Sequence, residues 1–87
     1  MTRAEIEDWA EAREVELLFA DGFDDALIGI GQRFNDYFLV YDYAKVIAAL
    51  RRDGMDAEDA EEYFTFNVVG AWVGDATPCF VWGTDGE

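Results

Sequence analysis

The sequence predicts a small α+β domain: a three-stranded, mostly antiparallel sheet with about three helices packed on one face, in the order α-β-β-α-α-β. Three observations predict it. The chain has 87 residues, about the size of one small domain. Its apolar fraction is 52% and its aromatic fraction 16%, enough for a packed core. Helical and strand periodicities alternate along it, each bounded by capping or turn residues. No repeat or linker divides it, so residues 1–87 read as one domain with a frayed tail over 83–87.

Thr2 followed by Glu5 forms a capping box, the start signal of a helix over 3 to about 14. Ile6, Trp9, Ala10, Arg13 and Leu17 keep helical spacing, which allows the helix to reach Ala20. "ADGFDDA" (20–26) is a loop, and "ALIGIG" (26–31) is a short strand whose glycines ease a turn. "QRFND" (32–36) connects it to "YFLVYD" (37–42), an aromatic and β-branched strand. Their closeness in sequence favours an antiparallel hairpin.

Asp42 caps a helix over 43–52 whose buried stripe is Tyr43, Val46, Ile47 and Leu50. Arg51 and Arg52 suit the negative end of its dipole, and Gly54 follows as a C-terminal glycine. Asp56 caps a third helix over about 57–68, with Met55 and Ala60 placed as a hydrophobic staple. Its expected inward face is Ala60, Tyr63, Phe64, Asn67 and Val68, with Asn67 buried and bonded to backbone; Gly70 ends it. A turn-containing segment from Ala71 leads to a strand over about 78–82, where Pro78 fits a first residue or an edge. Its pairing partner is left open.

Charge narrows the function. Net charge is −14, from 20 acids and 6 bases. Direct binding to nucleic acid is excluded and an anionic membrane is disfavoured, because both need clustered Arg and Lys. Basic partners are favoured. No apolar run approaches the ~18 residues of a membrane span, and the acidic N-terminus resembles no targeting peptide. Cys79 stands alone, which suits a reducing cytoplasm and a buried, inert thiol.

No cofactor or metal is predicted. Without histidine there is no Ser-His or Cys-His nucleophile and no zinc set. "DGFDD" (21–25) and "DGMDAED" (53–59) lack the register of a calcium loop. In "GIG" (29–31), Phe34 occupies the place a dinucleotide loop gives to its third glycine. The aromatics Trp9, Tyr37, Phe38, Tyr63, Phe64, Trp72, Phe80 and Trp82 lack basic neighbours for base stacking and are expected mostly in the core. Catalysis is therefore not expected.

Most of the acids fall in three groups, 5–16, 21–25 and 56–62, the last opening the stretch "DAEDAEEYF" (56–64). Several sit at i, i+3 or i+4 on predicted helices, where each like-charge pair costs a few tenths of a kcal/mol. Such rows can imitate duplex phosphates before an Arg/Lys-lined channel. The candidate contact residues are Asp21, Asp24, Asp25, Glu58, Asp59, Glu61 and Glu62, with Glu7, Glu11 and Glu14 if the first helix shares their side. The competing reading is acidity for solubility alone. Self-repulsion opposes tight packing of acidic faces, while an aromatic patch allows a dimer, so the oligomeric state, monomer or weak dimer, is left open.

The segments "ADGFDDALIGIG", "VYDYAKVI" and "GMDAEDAEEYFTFNVVGAWVGDATPCFV" resemble a group of small acidic proteins encoded by bacteriophages and prophages, over residues 20–81. The resemblance implies a phage origin and a place in the cytoplasm of an infected bacterium. It further implies an anti-CRISPR inhibitor that mimics DNA against a type I, Cascade-like surveillance complex. The alternative is a small phage accessory or structural protein. It supplies no catalytic residues.

Overall fold

A computed structural model of the chain describes residues 2–68, 70, 74 and 76–83. Trp72, most of the turn expected after Ala71, and the tail from residue 84 lie outside the described residues. The elements are α1 (Arg3–Arg13), a 3₁₀ turn (Asp24–Ala26), β1 (Leu27–Arg33), β2 (Asp36–Asp42), α2 (Tyr43–Arg52), α3 (Ala57–Tyr63), a π-helical turn (Phe64–Val68) and β3 (Cys79–Val81). This is the predicted α+β order.

Each helix starts where its sequence places a cap. Thr2 Oγ1 accepts from the Glu5 N–H, while Glu5 Oε1 accepts from the Thr2 N–H at 2.8 Å. Asp42 and Asp56 accept from the backbone N–H groups of Ala44 and Asp59. The N-terminal helix ends earlier than its apolar spacing allows. Glu14 adopts a left-handed conformation (φ 56°), and the Val15 N–H closes back on the Ala10 carbonyl at 2.9 Å. The cause is tertiary: Leu17, Phe19 and Ala20 leave the helical path to pack on the core, and the Ala20 N–H donates to Tyr41 Oη at 2.8 Å.

β1 and β2 form an antiparallel hairpin, with Arg33 opposite Asp36 and an irregularity between Leu27 and Gly29. The glycines of "GIG" therefore lie inside a strand, and the turn is made by Phe34 and Asn35. β3 pairs with β2 in parallel, Val40 opposite Cys79 and Asp42 opposite Val81, giving the sheet order β1-β2-β3. The two intervening helices supply the long crossover that a parallel pairing needs.

Tyr37, Leu39 and Tyr41 share one face of β2, since strand side chains alternate. On this face Trp9 of α1 meets Tyr37 edge-on (centroids 5.2 Å apart), and Phe64 meets Phe80, which packs on Tyr41. The core comprises Ile6, Ala26, Leu39, Tyr41, Val46, Leu50, Ala60 and Phe64. Tyr63, expected on the inward face of the third helix, is instead exposed, as is Trp82.

The third helix changes character after Tyr63. Over Phe64–Val68 it winds as a π-helix, whose N–H groups reach five residues back. A Cβ at Gly70 would stand 2.9 Å from the carbonyl oxygen of Thr65, five residues earlier, so the chain passes there only as glycine. The wider turn keeps Val68 half-buried and carries Asn67 out to solvent. The expectation of a buried, backbone-bonded Asn67 is thereby corrected.

Candidate functional site

No charged or polar residue is buried among the described residues. The carboxylates thus keep their hydration and stand available to a partner. All six bases precede Asp53, three of them on α2, and α3 carries none. The chain from Asp53 on therefore presents negative charge with no cation of its own.

The acid-rich helix is stable despite its charge because the charge is partly well placed. Glu58 and Asp59 occupy the first turn, where the dipole favours anions. Glu61 and Glu62 occupy the far end, where it does not, and Glu62 faces Glu58 and Asp59 at i−4 and i−3.

The structure brings two predicted contact residues into one cavity and sets a third in the cavity beside it. Asp59 and Glu62 line a solvent-open cavity of about 440 Å³ with Met55, Tyr63, Phe66 and Asn67. Asp21 lines a neighbouring cavity of about 300 Å³, which shares Tyr63 and Asn67 with the first. Loop 20–25 and helix α3, remote in sequence, so meet around one aromatic and amide patch. Asp21, Asp59 and Glu62 make no ion pair among the described residues.

The other predicted residues are distributed differently. Asp24 pairs with Arg3 at 3.3 Å, and Asp25 lies 3.9 Å from Arg52, so each already has an intramolecular cation. Such exposed pairs contribute little to stability. Glu58 is exposed one turn before Glu62. Glu61 opens on a separate cavity of about 410 Å³ with Tyr43, Ala44, Ile47, Trp82 and Gly83. There Trp82 stacks on Tyr43, ring centroids 3.5 Å apart.

Glu7, Glu11 and Glu14 are exposed on α1 and its cap. Trp9 anchors that helix at Tyr37, the start of β2, while α3 is anchored through Phe64 and Phe80 at Tyr41. Four residues of strand separate the anchors by about 13 Å. Glu14, left-handed, also departs from the row that Glu7 and Glu11 begin.

Sequence reasoning missed Phe66, which is 76% exposed. A regular helix with Tyr63, Phe64, Asn67 and Val68 inward already turns Phe66 outward, but nothing in the sequence marks an outward aromatic there as a site residue. Among the described residues, no group of three or more His, Cys, Asp or Glu is arranged to hold a metal ion. Burial raises the pKa of the half-buried Cys79 thiol, which disfavours the thiolate. No helix among the described residues is long and apolar enough to cross a membrane.

Compared with known proteins, the chain matches no family model, no curated protein and no solved structure.

Proposed function

We propose that this chain is a non-enzymatic inhibitor whose acidic face around α3 occupies a basic, nucleic-acid-binding surface of another macromolecule. The observation that carries the reading is the pair Asp59 and Glu62 on one open cavity of a helix without a base, with Asp21 of loop 20–25 on the cavity beside it. Unpaired carboxylates on a rigid helix offer fixed negative charge to a channel built for phosphates. Association would be steered by the net charge of −14 and weakened by salt.

The phage resemblance suggests the target: a CRISPR surveillance complex of the type I, Cascade-like kind, met in the cytoplasm of an infected bacterium. The test is competition. Purified complex carrying labelled target DNA is titrated with the chain, and DNA release is followed by fluorescence anisotropy. Release by the wild type, lost on reversing Asp21, Asp59 and Glu62 to lysine, supports the proposal. No release, or equal release by both, removes it and leaves a phage accessory protein whose acidity serves solubility.

A further inference from the structure

The cavity beside the π turn has a lining that acidity alone does not explain. Phe66, within the π turn, is 76% exposed, Tyr63, just before it, is 41% exposed, and Asn67 is exposed beside them. Met55, placed just before the helix cap, brings a thioether to the same cavity as the carboxylates of Asp59 and Glu62. A solubilising surface needs the carboxylates but gains nothing from displayed rings and a thioether.

The combination selects a ligand by chemistry. An anion would be repelled by the two carboxylates. A purely apolar group would strip water from them without replacing its hydrogen bonds. An ammonium ion satisfies the charge but is compact and strongly hydrated, and makes poor use of flat apolar walls. A guanidinium satisfies both requirements. It is planar and weakly hydrated, stacks on aromatic rings, and presents a fork of N–H donors that carboxylates accept.

We infer that the cavity lined by Met55, Asp59, Glu62, Tyr63, Phe66 and Asn67 is an arginine-binding notch, taking one arginine side chain of a basic protein partner. Phe66 and Tyr63 supply the stacking surface, Asp59 and Glu62 accept the guanidinium N–H groups, and Met55 packs against the methylene stem. The inference rests on the reading of the chain as a binder of basic surfaces. It adds a side-chain preference that general electrostatics does not contain.

Calorimetric titration of the full chain with oligoarginine and oligolysine peptides of equal length tests it. The arginine peptide should bind roughly two- to fivefold tighter, the range of an exposed cation–π contact. Phe66→Ala should erase that preference, costing the arginine peptide more affinity than the lysine peptide. Its exposure makes folding insensitive to the change, which circular dichroism and melting verify. Asp59→Asn with Glu62→Gln should weaken both peptides. Equal affinity for the two peptides, or an arginine preference that survives Phe66→Ala, overturns the notch while leaving the basic-partner proposal standing. Binding of neither peptide overturns both.

Discussion

Glu62→Lys should stabilise the fold and weaken binding at once. Glu62 sits in the last turn of α3, with Glu58 at i−4 and Asp59 at i−3. Each like-charge pair at these spacings costs a helix about 0.2–0.5 kcal/mol, and each opposite pair returns a similar amount. Reversing the charge converts two repulsions into two attractions, a swing of about 0.8–2 kcal/mol at low salt. Exposure and screening bring this to roughly 1 kcal/mol. A cation at a helix C-terminus adds a dipole contribution of the same sign. For a domain of this size, 1 kcal/mol raises Tm by about 4–8 °C. Thermal melting at low salt and at about 1 M salt reads it, the gain shrinking in the second. A fall in Tm at low salt, or a gain indifferent to salt, would refute the placement of these carboxylates. The same variant should lose affinity for oligolysine, the mark of a helix that carries repulsion for a use other than stability.

Glu14 (φ 56°) and Phe34 (φ 55°) hold left-handed backbone without being glycine. Glu14→Gly and Phe34→Gly should each raise stability by roughly 1 kcal/mol in urea titrations, because a Cβ is disfavoured there. Tyr41→Phe removes the acceptor of the Ala20 N–H and should cost about 1–3 kcal/mol by the same assay. Burial raises the Tyr41 pKa above its ordinary value of 10.0. Its contribution is thus complete below that value and lost as pH rises past it, which shows as a Tm that falls in alkali and is less pH-sensitive in the phenylalanine variant. The Cys79 thiol should react with a disulfide reagent slowly in the native protein and fast in denaturant; native reaction at the rate of a free thiol would contradict its half-buried setting.

Local chemistry made most elements legible. Thr2, Asp42 and Asp56 mark helix starts because a side-chain oxygen there answers an orphan N–H. The strand YFLVYD declares itself by composition. What sequence could not show was decided at long range. The N-terminal helix stops at Arg13 because Leu17 and Phe19 gain more from the core than from a longer helix. β3 runs parallel to β2 because two helices intervene, and no local feature of Cys79–Val81 encodes that choice. The π turn depends on Gly70 passing over Thr65, a contact that no periodicity announces.

The site was legible in the same partial way. Its carboxylates were visible as a charge run, but not which of them meet. Asp21 and Asp59 lie far apart in the chain and come to line neighbouring cavities that share Tyr63 and Asn67. Asn67 read as an inward residue because a regular helix would bury it, whereas Phe66, off the expected inward face, carried no mark of a binding role.

The most direct measurement of the central claim is the salt dependence of affinity between the purified chain and a Cascade-like surveillance complex, for the wild type and for Asp21→Lys/Asp59→Lys/Glu62→Lys. Wild-type affinity that falls steeply with ionic strength, and a variant that has lost both the affinity and the slope, is the predicted result. Binding of equal strength and slope by the two proteins would contradict it.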